Sequence, residues 1–324
     1  MSRRKVAAWL WLGFAPGTAA GQMPKGVHSD TQTRGMELNA LAMQKLENGN
    51  LREAERLSRE ALDLIASESG ERKSNDPADA AVAVGNLAAV LSAEGRYIEA
   101  DRLLRTALAA TRRKLGKGSS PLAALLATRA ELLVRQGRPR QAIAVLQQEI
   151  KIRERRPDDR EPWARSCQNL AVAELAAGQY GRAERWLERS EELWTGGLPD
   201  DHPLKLAGLN ARLVLYEHRR QFERADRLLP VILGAAERRY RDRPSELALV
   251  LNNLGTVYAD RGEYRQAAET LERACHIDLR VLGEFHPQTA AARLNCGMAL
   301  QKIGRVEEGV SLETRAKAAL SLRH

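Results

Sequence analysis

The fold of this chain is decided by residues 251–271, LNNLGTVYADRGEYRQAAETL. The residues before Gly262 form an apolar helical stretch, and Gly262 suits the left-handed backbone position that ends a helix. After it, Tyr264, Ala267 and Leu271 recur at three- and four-residue spacing, which places them on one face of a second helix. The stretch therefore predicts two helices joined by a tight turn, a helical hairpin.

The same pattern recurs along nearly the whole chain. Two further strong copies, at 95–100 and 178–183, keep Gly, Tyr and Ala at the same spacing, and the weaker copies begin at Gly49, Gly137, Arg220 and Gly304. From Gly95 onward, neighbouring copies are 41 or 42 residues apart. Seven units at a near-constant period predict a tandem-repeat protein in which stacked hairpins bury a continuous core.

One small residue in each unit sets how closely its two helices pack. Six copies have alanine at the position five residues after the turn residue: Ala54, Ala100, Ala142, Ala183, Ala225 and Ala267. An alanine here lets the two helices of a hairpin approach closely. The last copy has Gly309 and Glu313 where other copies have Ala and Leu, which suits a polar end of the stack.

Proline marks the start of the following hairpin in several units. A polar residue precedes a proline at Asp76-Pro77, Ser120-Pro121, His202-Pro203 and His286-Pro287. A polar cap before a proline in the first helical turn is a helix-start signal. We therefore interpret His202 and His286 as junction residues and assign them no chemistry.

Three arginines depart from the repeat pattern. Arg129 and Arg212 occupy the position at which other units have Leu87, Leu170 and Leu254, and we expect them either to shift their helices or to point a charge toward a groove. Arg220 replaces the turn glycine, where a side chain strains the left-handed backbone.

Composition and charge exclude several classes of protein. Lys and Arg total 51 and Asp and Glu total 42, giving a net charge of +9, but no basic cluster is interleaved with stacking aromatics, so nucleic-acid binding is not expected. There is no Gly-rich phosphate loop, nucleophile elbow or Cys/His cluster at metal-ligand spacing. We predict no catalysis, no cofactor and no metal.

The cysteines and the N-terminal segment bear on the compartment. Cys167, Cys275 and Cys296 fall in helical patterns and are predicted to be small buried hydrophobes, with a Cys275–Cys296 disulfide as the alternative in an exported protein. Residues 1–20 combine three basic residues, a short apolar stretch and small residues, as a signal peptide does, and residues 21–35 read as a linker. The expected location is periplasmic or secreted if the signal is cleaved, and cytoplasmic otherwise. No other stretch is apolar enough to cross a membrane.

The repeat resembles the tetratricopeptide repeat (TPR) family, in its 42-residue variety typified by kinesin light chains. In that variety Leu-Asn-Asn-Leu opens the first helix, Gly-x-Tyr-x-x-Ala joins it to the second, and Leu-Gly-x-x-His-Pro leads to the next repeat. Residues 251–254, 262–267 and 282–287 match all three motifs. The resemblance covers residues 36–322 and implies an all-α, right-handed superhelical solenoid of antiparallel helix hairpins, with seven repeats within residues 36–324.

The resemblance also implies a site. In this family the first helices line a concave groove, and an asparagine nine residues before the turn residue often projects into it; here that position holds Asn86, Asn169, Asn253 and Asn295. An amide both donates and accepts hydrogen bonds, so a row of amides suits the capture of an extended peptide backbone. The alternative, that each amide bonds to the neighbouring repeat and stabilises the stack, stays open.

Charged residues lie seven positions further along the same helices. This position holds Arg135, Ala176, His218, Asp260 and Lys302, and on the same face Arg135, His218 and Lys302 would help to select a ligand. The chain is thus predicted to be a non-catalytic scaffold for a protein or peptide ligand. Structural self-assembly, or a regulatory subunit that recruits a catalytic partner, remains the alternative.

Overall fold

A computed structural model describes residues 30–47, 50–67, 77–156, 158–194 and 197–321, and these residues form fourteen α-helices and no strand. The helices pair into seven hairpins: α1 (Asp30–Glu47) with α2 (Leu51–Ser67), α3 (Pro77–Ala93) with α4 (Tyr97–Leu115), α5 (Ser120–Arg135) with α6 (Pro139–Arg153), α7 (Arg160–Ala176) with α8 (Tyr180–Trp194), α9 (Pro203–His218) with α10 (Phe222–Arg239), α11 (Pro244–Arg261) with α12 (Tyr264–Leu282), and α13 (Pro287–Lys302) with α14 (Val306–Ser321). The all-α fold with seven hairpins is as predicted.

The predictions for the N-terminal segment fall mostly outside the described residues. The expected signal peptide, residues 1–20, lies outside them, as do residues 21–29 of the expected linker. Helix α1 begins at Asp30, so the last part of the segment interpreted as a linker is helical. Among the described residues, we find no helix that combines the length and the apolar character needed to span a bilayer.

The helices form two compact units, α1–α8 and α9–α14. Within each unit, the second helix of a hairpin packs against the first helix of the next, as α4 does on α5 and α12 on α13. First helices of neighbouring hairpins also touch, as α3 touches α5 and α11 touches α13. Each hairpin thus buries its apolar face against its neighbours, which is the packing that a repeat protein requires.

The turns inside the hairpins have the backbone geometry that the sequence predicts. Gly262 has a φ of 83°, and the Glu263 N–H donates to the Tyr258 carbonyl oxygen at 2.9 Å, a Schellman arrangement that closes helix α11. Arg220 has a φ of 58° and is the one non-glycine residue with positive φ in the described part of the chain. The Gln221 N–H still donates to the Tyr216 carbonyl oxygen at 2.8 Å, so the turn keeps its form with an arginine in the glycine position.

The close packing within hairpins depends on the predicted alanines. None of the six has exposed surface: Ala54, Ala100, Ala142, Ala183, Ala225 and Ala267. A leucine four residues later, such as Leu104 or Leu271, is also fully buried. In α4, α6, α8, α10 and α12, these two positions therefore form a regular core between paired helices.

The junction histidines cap helices. The Nδ1 atom of His202 accepts a hydrogen bond from the Leu204 N–H at 3.2 Å, and the Nδ1 atom of His286 accepts one from the Gln288 N–H at 3.2 Å. Because Nδ1 is the acceptor, the ring proton of the neutral imidazole resides on Nε2. Both rings satisfy a free N–H in the first turn of a helix, which agrees with a junction role.

The three cysteines are buried free thiols in this structure. Burial raises the pKa of Cys167 and of Cys296 to about 12, so both stay protonated near neutral pH. The prediction that they act as small buried hydrophobes is confirmed, and Cys275 and Cys296 do not form the disulfide considered as the alternative.

Candidate functional site

Three of the four predicted asparagines are buried in the first helices. Asn86 in α3, Asn169 in α7 and Asn253 in α11 have 5%, 3% and 5% of their surface exposed. The Oδ1 atom of Asn169 has no hydrogen-bond partner among the described residues. A buried amide oxygen without a partner costs free energy, so such an atom in a native structure calls for an explanation.

Asn295 shows how these amides can connect neighbouring hairpins. Its Nδ2 atom donates to the Oδ1 atom of Asn252 at 3.0 Å, which joins helix α13 to helix α11. Asn295 itself is partly buried. This contact is of the kind expected if the amides stabilise the stack, while the ligand-binding role of Asn86, Asn169, Asn253 and Asn295 stays a prediction.

The predicted charged residues differ between the two units. In the first unit, Arg135 is half-buried and its Nη2 atom lies 2.7 Å from Oε1 of Glu131 on its own helix. In the second unit, His218 at the end of α9 is partly buried, whereas Asp260 near the end of α11 and Lys302 at the end of α13 are exposed. The exposed charges of this position therefore lie on α11 and α13.

Met298 is an accessible residue that the sequence reasoning missed. It lies on α13 between Asn295 and Lys302, and 48% of its surface is exposed. Residues 295, 298 and 302 are three and four positions apart, so they share one face of the helix. The spacing could have placed Met298 on the same face as Asn295 and Lys302, but the sequence does not show that its side chain is exposed.

The α11 end of this surface is held in place by an ion-pair network. The Arg261 guanidinium, next to Asp260, is almost fully buried and pairs with Glu217 of α9 and with Asp226 of α10. Its Nε atom also donates to Oε1 of Glu217 at 3.0 Å. A guanidinium that holds carboxylates from two neighbouring helices fixes the end of α11 and the backbone that carries Asp260.

We call the surface formed by Asp260, Asn295, Met298 and Lys302 the first-helix face. It combines an anion, a cation, an amide and a flexible apolar side chain, which suits contacts with a polypeptide segment. It contains no nucleophile with an adjacent base. The described residues also hold no group of three or more His, Cys, Asp or Glu that are placed to hold a metal ion.

Comparison with known proteins identifies the repeat. A family model described as tetratricopeptide repeat matches residues 78–155 and 246–320, and a second model of the same description matches residues 163–204. Together they cover more than half of the chain. Among curated proteins, no sequence matches this chain significantly.

Solved structures show the same fold at low sequence identity. A Rap protein complexed with Competence and Sporulation Factor is 12% identical, with a TM-score of 0.64 over 91% of this chain and 79% of that one. NprR in complex with its cognate peptide NprX is 15% identical, with a TM-score of 0.56 over 92% and 84%. BtubC (BKLC) from P. vanneervenii is 20% identical, with a TM-score of 0.54 over 71% and 91%. With its seven helical hairpins and its matched repeats, the chain belongs to the tetratricopeptide repeat family.

Proposed function

We propose that this chain is a non-catalytic binding module that holds an extended peptide segment of a partner protein on the first-helix face. The observation that carries the proposal is the exposure of Asp260, Met298 and Lys302 on two first helices that touch each other. Alternating charge and a polarisable apolar side chain match what a peptide offers, namely charged side chains, apolar side chains and a backbone. The peptide and factor complexes of NprR and the Rap protein, which have this fold, support a ligand of that class.

The proposal is tested with peptides chosen without knowledge of the partner. Peptides are selected from a random displayed library on the immobilised chain, and their dissociation constants are measured by fluorescence polarisation. Lys302→Glu and Met298→Ala are expected to weaken the selected peptides by about tenfold or more, because each removes a central contact. Arg315→Glu and Val231→Ala, which make the same kinds of change at exposed positions of second helices, are the matched controls and are expected to leave binding within about twofold.

The outcomes separate the alternatives. If no peptide is enriched, the binding function is rejected. If the selected peptides bind the Lys302 and Met298 variants as tightly as the wild type, the site lies on another surface.

A double variant, Asn169→Ala with Asn253→Ala, tests the role of the buried amides. Weaker peptide binding at an unchanged free energy of unfolding would assign the amides to the ligand. Unchanged binding with a lowered free energy of unfolding would assign them to the stack. Both quantities are needed because a buried amide affects packing as well as recognition.

Self-association is a second candidate, favoured by apolar residues on α14. Val310 is 49% exposed and Leu320 is 39% exposed, whereas the equivalent residues of α12, Ala268 and Asp278, are covered almost completely. A second copy that covers these residues would explain their apolar character. Light scattering over a range of concentrations tests this candidate: a mass that grows with concentration, and does not grow for Val310→Glu, supports self-association.

A further inference from the structure

A cavity of about 210 Å³ opens between helices α4, α5 and α6 of the first unit. Its floor is apolar, since Leu108, Leu126 and Val145 line it and are all buried. The floor thus combines one residue from each of the three helices. An apolar floor of this kind favours a ligand with a non-polar body.

The rim of the cavity is cationic. Arg105 and Arg112 lie seven residues apart on α4 and therefore on one face of that helix, and Arg129 reaches the cavity from α5. Ala109 and Gln148 complete the lining, which includes no carboxylate. Three guanidinium groups around one small cavity create a positive potential at its mouth.

One buried carboxylate organises two of these arginines. Asp101 on α4 is 6% exposed; its Oδ2 atom lies 2.6 Å from Nη2 of Arg105, and its Oδ1 atom lies 3.1 Å from Nε of Arg129. A single negative charge thus faces two positive ones, and the exposed guanidinium of Arg112 adds a third. The site keeps a net positive charge after its internal ion pairs are counted.

The repeat does not require these arginines. The residues equivalent to Arg129 in other hairpins are Leu87, Leu170 and Leu254, which pack in the core, and Arg212 in the fifth hairpin. The position of Arg105 holds Glu188 and Glu272 in two other units and Arg59 in the first, and the position of Arg112 holds Glu154 and Glu237 in two others. The combination of three arginines occurs in this hairpin pair alone among the described repeats, so stacking by itself does not account for it.

We propose that this cavity binds a small organic carboxylate with a branched apolar body, independently of the proposed peptide-binding function. The planar fork of a guanidinium matches the two oxygens of a carboxylate, and Arg112 at the rim is placed to receive them. The branched body contacts Leu108, Leu126 and Val145. A free carboxylic acid and the C-terminal leucine of a peptide share this chemistry.

The test is a titration followed by NMR of the arginine Nε–Hε signals, with 4-methylpentanoate as the probe. We expect saturable shifts with a dissociation constant on the order of 1 mM or lower, which is typical of a ligand with few atoms. The primary amide of the same acid removes the charge, and acetate removes the apolar body. Each is expected to bind about tenfold more weakly or worse, because each lacks one of the two recognised features.

Two variants locate the site. Arg112→Gln removes the rim cation and is expected to weaken 4-methylpentanoate by about tenfold. Arg113→Gln makes the same change of charge at the next residue, which is exposed and does not line the cavity, and is expected to bind as the wild type does. Arg112 and Arg113 are surface residues, so neither change is expected to affect folding.

The proposal is overturned if the shifts do not saturate, if the amide binds as well as the acid, or if the Arg112 variant binds as the wild type does. A short peptide ending in leucine with a free carboxylate, titrated beside the free acid, distinguishes the two sources. Tighter binding of the peptide supports the proposal with a chain terminus as the ligand. Tighter binding of the free acid supports it with a small molecule as the ligand.

Discussion

At the scale of single residues, the turn of the fifth hairpin stores backbone strain. Arg220 has a φ of 58° at a position where the other described turns have glycine. Its side chain is exposed, so it contributes little packing that would offset the strain. A left-handed backbone costs a non-glycine residue about 1–2 kcal/mol. Glycine does not have this strain, but its unfolded chain has more conformational entropy, which offsets part of the gain.

We therefore expect Arg220→Gly to increase the free energy of unfolding by about 0.5–1 kcal/mol, measured by urea denaturation. The matched control is Arg219→Gly, since Arg219 has a φ of −85° and a ψ of 0°, which any residue adopts readily. This second variant gains nothing from glycine and is expected to be less stable than the wild type. Equal effects of the two changes would contradict the assignment of strain to Arg220.

A second residue-scale effect concerns Asp278 on α12. This carboxyl group is fully buried; its Oδ1 atom accepts a hydrogen bond from Nε2 of Gln288 at 2.9 Å, and its Oδ2 atom has no partner in the described part of the chain. Burial raises the pKa of Asp278 to about 7, although the hydrogen bond from Gln288 lowers it. The folded state thus holds this proton more tightly than the unfolded chain does.

The sign of the pH dependence follows from that difference. The raised pKa contributes stability that is fully present below the unfolded pKa, near 4, and is lost as the pH rises through 7. Asp278→Asn removes the titration. We therefore expect the free energy of unfolding of the variant to increase relative to that of the wild type between pH 4.5 and pH 8, by about 3 kcal/mol. Urea denaturation at pH 4.5 and pH 8 measures the difference.

The control for this prediction is Glu272→Gln, which removes the carboxylate that lies 2.9 Å from Arg305 in an exposed ion pair. Exposed pairs contribute about 0–1 kcal/mol, so this variant should follow the wild type at both pH values. If the free energy of unfolding of Asp278→Asn changes with pH as that of the wild type does, the buried carboxyl group does not titrate in this range.

At the scale of helices, the last hairpin packs more closely than its sequence suggests. Gly309 occupies the position that holds alanine in the six other units, so the repeat pattern alone would allow an alanine here. A Cβ atom added at Gly309 would lie 2.5 Å from the carbonyl oxygen of Gly297, and one added at Gly297 would lie 2.7 Å from that of Gly309. The backbones of α13 and α14 are therefore in direct contact at these two glycines.

We expect Gly309→Ala to lower the free energy of unfolding by about 1–3 kcal/mol, because one backbone must move to admit the methyl group. Gly181→Ala in α8 is the matched control, since within the described residues no atom lies within 4 Å of an added Cβ. Alanine there should stabilise its helix by up to about 1 kcal/mol. Thermal or urea unfolding of both variants checks the pair, and a stabilising Gly309→Ala would show that α13 and α14 separate easily.

At the scale of the whole molecule, all the main packing is between sequence neighbours. In each unit, helices contact partners in their own hairpin or in an adjacent one. The stability of such an array is close to a sum of hairpin terms and nearest-neighbour interface terms. Surface ion pairs such as Arg59 with Glu99, and Arg273 with Glu237, join second helices of adjacent hairpins, but each is exposed and contributes little by itself.

Much of this fold was predictable from the sequence because its signals are local. The turn glycines, the helix starts marked by proline and the alanines that follow six of the turns all act within one hairpin. The strain at Arg220 is a property of one backbone position. These features depend on residues a few positions apart, which the sequence shows directly. The choice of first helices as candidate binding elements came instead from the resemblance to the repeat family.

The tertiary structure decided what depends on the neighbouring hairpin. Asn86, Asn169 and Asn253 are buried and Met298 is exposed, although all four belong to the same kind of helix face. Likewise, the ion-pair partner of Arg129 is Asp101, a residue 28 positions away. The contact between Gly309 and Gly297 joins helices α14 and α13. Burial, ion pairing and helix separation are set by which side chains of other elements fill the space around a residue, and a repeating pattern in the sequence carries no record of that filling.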